Sequence, residues 1–193
     1  MRKNRAVFLD RDGTLCEEVG YLDSVEQMQL IPRAGEAIRL LNQRGFKAVV
    51  VTNQSGVARG FFPESRLAIL HAELKRQLHQ EGAYLDAIYY CPHHPTEGFA
   101  PYLQECECRK PATGLLFQAA ADLNLHLPSS YMIGDHISDI ECGQRIGAAT
   151  ILLLTGHGPE ALARKESWPH PPSHIAADLY EAVQWVMQQA ERE

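Results

Sequence analysis

Ala6-Val7-Phe8-Leu9-Asp10-Arg11-Asp12-Gly13-Thr14 decides how the rest of the chain is read. Four consecutive apolar residues suit a short strand buried on both faces, and they stop abruptly at a pair of acids. Gly13 permits the sharp backbone turn that would aim both carboxylates into one cleft. Two acids one residue apart can divide two tasks, one attacking and the other moving a proton. A lone D-x-D is more often a solvated acidic turn. The pattern also opens an EF-hand calcium loop, but here the glycine falls at the fourth position instead of the sixth. An apolar strand precedes it where a helix is required.

Outward from this point, apolar runs alternate with helical patterns. Ala34, Ala37, Ile38 and Leu41 share one face of a helix expected over about 34–44, which Gly45 stops. Phe46–Val51 reads as a second strand, followed by an amphipathic helix over Glu64–Gln80 and a strand near Ala87–Tyr90. A Pro- and Cys-rich irregular stretch covers Cys91–Pro111. Helices are expected at about Thr113–Leu123 and Ile137–Gly147, with strands at Tyr131–Ile133 and Thr150–Leu154. A last helix runs from about Ala177 to the end. This alternation implies right-handed crossovers and a parallel sheet covered by helices on both faces, an α/β fold in one domain over residues 1–193. No insertion is long enough for a large cap, so the site should be open and shaped by loops.

Composition agrees with that reading and narrows the partners. The chain has 193 residues and a formal net charge of −6. An acidic balance argues against nucleic acid, though a few cations and a metal can reverse the field inside one cleft. No apolar run approaches the roughly 18 residues of a membrane span. The N-terminal apolar stretch is too short for a secretory segment. We therefore expect a cytoplasmic protein, a monomer on size and polarity. The five cysteines are an odd number in such a chain, so a disulfide framework is not expected.

Further polar groups follow the later strands. Thr52-Asn53-Gln54-Ser55-Gly56 supplies hydroxyl and amide donors, Lys110 adds a cation before a helix, and Gly134-Asp135 follows the fourth strand. Each alone is more often a turn or a solvated charge. Acid pair, Thr, Lys and Asp in this order, at strand ends or just before a helix, form a much narrower pattern.

The four segments FLDRDGT, VVTNQSG, CECRKP and GDHISD resemble the haloacid dehalogenase superfamily of phosphatases. Within it the chain is similar to the heptose bisphosphate and histidinol phosphate phosphatase group. GYLDSVEQMQLIP and CPHHP tilt the resemblance toward the heptose 1,7-bisphosphate 7-phosphatase family, which serves bacterial lipopolysaccharide synthesis through ADP-heptose. The resemblance implies a Rossmann-like domain and a phosphorylated sugar as substrate. It implies Asp10 as nucleophile, forming an aspartyl-phosphate, and Asp12 as general acid and then base. Mg²⁺ would be held by Asp10, Asp135 and the backbone carbonyl of Asp12. Thr52 and Lys110 complete the catalytic set. Asn53, Gln54, Ser55, Arg109 and His136, with Glu18, Val19, Gly20 and Tyr21, would contact substrate. At His136 the resembled heptose enzymes often carry Lys. Asp139, one helical turn beyond Asp135, would support the motif rather than touch metal.

Cys91-x-His93 and Cys106-x-Cys108 offer three thiolates and one imidazole, a set suited to tetrahedral Zn²⁺. The spacing inside each pair is one residue, shorter than the common two to four, and four such residues in a loop can also be free thiols and a solvated His. The resembled family binds zinc in its loop at these positions. Such a zinc would be structural, ordering the loop over about 91–111 and the adjoining Arg109 and Lys110. His94 adjoins His93 and could compete as ligand. Cys16 and Cys142 read as buried free thiols, Trp168 and Trp185 as packing residues, and His157 and His170 as solvated. Two other functions remain open: histidinol-phosphate phosphatase, which shares every catalytic residue, and a non-catalytic zinc-loop interaction module.

Overall fold

The computed structural model describes residues 3–191. Its first strand, β1 (Ala6–Leu9), is wholly buried, as its unbroken apolar run requires. β2 (Lys47–Asn53) and β4 (Tyr131–Gly134) pair with it in parallel on either side. β3 (Ala87–Cys91), β5 (Ala149–Leu153) and β6 (His174–Ala176) extend the sheet in the order β3-β2-β1-β4-β5-β6, every pairing parallel.

Alternate residues of each strand feed two cores. Val7 and Leu9 point to the side covered by α1 (Ala34–Gln43), α2 (Ser65–Gln80) and α6 (Leu179–Ala190). There Ile38, Leu41, Leu70, Leu74, Val183 and Val186 are buried. Ala6 and Phe8 point the other way, against Leu115, Leu116 and Ala119 of α3 (Gly114–Leu123) and Cys142 of α4 (Ile137–Arg145). The hydrophobic stripe of α1 explains its packing, and Gly45 at φ +74° ends that turn in the left-handed conformation glycine favours. Cys16 and Cys142 are buried free thiols, as expected.

The expected parallel sheet with helices on both faces is therefore present, and the anticipated elements lie within three residues of their expected limits. Residues 192–193, which the expected last helix included, lie outside the described residues. Among the described α-helices and strands, two were not anticipated: α5 (Gly158–Ala163) and β6. Both are short, and β6 is a three-residue edge strand just after Pro169, Pro171 and Pro172, with no alternation to read. Among the described residues no inserted cap domain interrupts the alternation, and no helix is long and apolar enough to cross a membrane.

Candidate active site

The chain runs from β1 outward to β2 and β3, then returns to place β4 on the other side of β1. Loops leaving the ends of β1 and β4 therefore diverge, opening the crevice where ligands of such sheets bind. Asp10 leaves β1 and Asp135 leaves β4, and the Asp10 backbone N–H donates to Ile133 O at 3.1 Å, tying the two ends together.

Asp135 is packed between two glycines. A Cβ on Gly13 would fall 2.1 Å from Asp135 Oδ2, and one on Gly156 would fall 2.2 Å from the same atom. Gly13 also has φ +72°, so its position demands glycine on both counts. The backbone N–H of His157, at the start of α5, donates to Asp135 Oδ2 at 2.8 Å. His157 is exposed, as expected, but its main chain reaches the site and the residue lines the cleft. No pattern in the sequence marks a backbone donor of this kind.

Carboxylate oxygens of Asp10, Asp135 and Asp139 lie within 4.8 Å of one another. Lys110, almost wholly buried, reaches into this group. Its Nζ lies 3.0 Å from Asp10 Oδ1 and 2.6 Å from Asp139 Oδ1, and it donates to Val51 O at 2.7 Å. The other oxygen of Asp139 accepts the His136 N–H at 3.1 Å. Asp139 is therefore paired with Lys110 and with the start of α4. Burial raises the pKa of Asp10 to about 6, with Lys110 opposing and Asp139 and Asp12 adding. Burial likewise raises Asp135 to about 8, helped by repulsion from Asp10 and Asp139. Two buried, mutually repelling carboxylates with hard oxygen donors are a fit for a small divalent cation such as Mg²⁺, which would relieve that repulsion.

Asp12 faces a different cation. Arg11, with no exposed surface, donates from Nε to Asp12 Oδ1 at 3.0 Å and from Nη2 to Oδ2 at 2.8 Å. Nη2 also donates to Gln54 Oε1 at 2.9 Å, and Nη1 lies 3.4 Å from His71 Nε2. Burial, with Arg11 adding, pushes His71 down to about 4, so its ring is neutral near pH 7. Gln54 Nε2 donates to Asp12 Oδ2 and to Thr52 Oγ1, both at 2.9 Å. Arg11 was not singled out from the sequence because the middle residue of D-x-D reads as a spacer.

The cleft, about 560 Å³ in volume, brings together most of the expected residues. Asp10, Asp12, Glu18, Gly20, Tyr21, Asn53 line it, as do Gln54, Ser55, Arg109, Lys110, Asp135 and His136. Thr52 and Val19 are not on its wall: Thr52 is buried behind Gln54, and Val19 is exposed outside it. Asn53 clips the loop to β2, donating to Lys110 O at 3.1 Å and accepting the Lys110 N–H at 3.0 Å. His136 caps α4, its Nδ1 accepting from the Ser138 N–H, and burial lowers its pKa. At the rim, Tyr21 meets Phe61 edge-on with ring centroids 4.4 Å apart.

Beside the cleft, Cys91, His93, Cys106 and Cys108 converge. Cys108 Sγ lies 3.0 Å from Cys91 Sγ and 3.2 Å from Cys106 Sγ, and His93 Nδ1 lies 3.4 Å from Cys108 Sγ. One ion could touch all four at about 2.0–2.3 Å, and soft thiolates with an imidazole fit zinc. His94 is not in this cluster; its Nδ1 accepts the Glu97 N–H at 2.9 Å and its Nε2 faces Arg59. Arg109 Nη1 donates to His93 O at 3.1 Å, linking the cluster to the cleft.

Comparison with known proteins agrees with this geometry. Residues 107–182 match the HAD-hydrolase-like family. A D-glycero-β-D-manno-heptose-1,7-bisphosphate 7-phosphatase of Haemophilus ducreyi is 42% identical over 165 residues, covering 84% of this chain and 90% of the relative. The corresponding phosphatase of Chlorobaculum tepidum is 40% identical over 189 residues, covering 95% and 94%. Among solved structures, D,D-heptose 1,7-bisphosphate phosphatase from B. bronchiseptica, complexed with magnesium and phosphate, superposes with a TM-score of 0.85. It is 31% identical, over 96% of this chain and 99% of that one. With its acids at the switch point and identities of this size along most of its length, the chain belongs to the D-glycero-D-manno-heptose-1,7-bisphosphate 7-phosphatase family of the haloacid dehalogenase superfamily.

Proposed function

We propose that the protein is a magnesium-dependent phosphoric monoester hydrolase that removes the 7-phosphate of D-glycero-D-manno-heptose 1,7-bisphosphate, supplying ADP-heptose for lipopolysaccharide core synthesis. The observation that carries this is the separation of two acids by two cations. Asp10 is paired with Lys110 inside the acidic group, and Asp12 is paired with Arg11 outside it.

In this reading an Asp10 oxygen attacks phosphorus, forming an O–P bond as the bond from phosphorus to the sugar C7 oxygen breaks. Asp12 gives its proton to the departing alkoxide. It then takes a proton from water, whose oxygen attacks phosphorus and frees Asp10 with release of inorganic phosphate. Two like charges about 4 Å apart repel by roughly 4 kcal/mol at an effective dielectric near 20, so the approach of Asp10 to phosphate needs nearby positive charge. Lys110 supplies part of it. Asp10 and Asp135, with the Asp12 carbonyl, would hold Mg²⁺, which when bound supplies the rest of the charge on the phosphoryl oxygens. Asn53 and Ser55 on the cleft wall would donate to the phosphate, and Arg109 would pair with the far phosphate or hydroxyls. Cys91, His93, Cys106 and Cys108 would hold a structural zinc that orders the loop carrying Arg109 and Lys110. The enzyme would act as a single domain and a monomer, in the cytoplasm, on this small phosphorylated sugar.

The test is kcat/KM with Mg²⁺ on heptose 1,7-bisphosphate and histidinol phosphate side by side. Tenfold preference for the heptose, about 1.4 kcal/mol in transition-state binding, is expected. The opposite preference would overturn the substrate assignment, and no turnover of either would leave a phosphatase of another substrate or return the non-catalytic module.

A further inference from the structure

A carboxylate can accept about four hydrogen bonds, two at each oxygen. Asp12 Oδ2 already receives two donors, Arg11 Nη2 at 2.8 Å and Gln54 Nε2 at 2.9 Å. Asp12 Oδ1 receives one, Arg11 Nε at 3.0 Å. We infer that Arg11 and Gln54 are positioning residues that saturate Asp12 Oδ2 and leave Oδ1 as the atom through which Asp12 passes its proton. The inference rests on the acid–base role proposed above for Asp12.

The network leaves little freedom to rearrange. Gln54 donates both amide hydrogens, to Asp12 and to Thr52, and its Oε1 accepts from Arg11 Nη2. Turning the amide over would set its oxygen against the carboxylate and its NH₂ against the guanidinium, so the three partners fix its orientation. Arg11 in turn has no exposed surface, and its remaining nitrogen faces neutral His71, whose ring lies 5.6 Å from that of Tyr90. A planar fork held in this way fixes the plane of the carboxylate as well as its charge. Asp12 stands apart from Asp10, Asp135 and Asp139, the group whose carboxylate oxygens lie within 4.8 Å of one another. Thus Gln54, although it lines the cleft, spends its amide on Asp12 and not on substrate.

The leaving group separates this role from mere support of the fold. A sugar alkoxide needs a proton as it departs, whereas p-nitrophenolate needs almost none. kcat/KM reports only the steps up to formation of the aspartyl-phosphate, so it isolates that proton transfer. We would measure it for heptose 1,7-bisphosphate and p-nitrophenyl phosphate in Arg11→Lys, Gln54→Leu and Asp12→Asn. Each positioning variant should lose about tenfold or more on the sugar phosphate relative to the aryl phosphate, a share of the 10²–10⁴ such acids contribute. Because the ratio is formed within one preparation, a smaller folded fraction cancels. Gln54→Leu decides the question if Arg11→Lys does not fold. An equal fall on both substrates in the positioning variants, with Asp12→Asn still discriminating, overturns the inference alone. If Asp12→Asn also fails to discriminate, the acid–base reading falls and takes the inference with it.

Discussion

Lys110 shows how much a single side chain must balance here. It is the buried cation facing Asp10 and Asp139, and attraction to both raises its pKa despite the opposing effect of burial. Lys110→Met would leave those acids without their buried cationic partner. Removing one member of such a buried group costs about 3–5 kcal/mol, and losing a charge aimed at the reacting phosphate costs about 10²–10³ in rate. Urea unfolding together with kcat/KM would check both, and a loss of only twofold in rate would remove Lys110 from the catalytic set. Asp10, Asp12, Asp135 and Lys110 were legible because each follows a strand or precedes a helix, where sequence pattern and chemistry coincide. Arg11 and the His157 amide were not. The first hides inside the motif it serves, and the second acts through a backbone atom common to almost every residue type.

At the scale of elements, the segment between β3 and α3 is held by side chains where regular secondary structure is absent. Cys91 ends β3, while Cys106 and Cys108 lie shortly before α3, so one ion at their meeting point would tie both ends of the loop. Arg109 and Lys110 follow directly. Their placement depends on contacts from Arg109 to His93 O and from Lys110 to Asn53. Cys106→Ser is therefore expected to lower bound zinc from about one per chain and to cost roughly tenfold in kcat/KM through misplacement of these cations. Far-UV circular dichroism should stay nearly the same, because the sheet and its helices do not run through the loop. Metal analysis decides it: unchanged zinc in the variant would exclude Cys106 as a ligand. Residue types point to this cluster, since Cys and His gather where apolar pattern lapses, but the short spacing leaves free thiols open and the family resemblance singles the four residues out. α5 and β6 could not be read from the sequence, because a six-residue helix and a three-residue edge strand paired with β5 are too short to show a periodicity.

For the whole molecule, the buried acids make stability depend on pH and on magnesium together. Asp135 rises from an ordinary 3.8 to about 8, and Asp10 from the same value to about 6. Below about pH 4 these groups are protonated in both folded and unfolded chains and contribute no slope. Between about pH 4 and 8 the folded chain without magnesium retains protons that the unfolded chain has released, so these groups lower its stability as pH rises. Magnesium binds the ionised pair and must displace those protons, so its affinity grows over the same window. Binding to the folded state alone then raises stability by mass action, and more so the higher the pH. The expected result is a gap in thermal midpoint, with minus without millimolar Mg²⁺, that widens from pH 5 to pH 8. Dialysed protein without chelator should be used, to leave the thiol cluster undisturbed. A gap that is constant or that narrows with pH would mean that Asp10 and Asp135 are not the groups that take up the ion. The packing of Asp135 against Gly13 and Gly156 would then serve the fold rather than the metal.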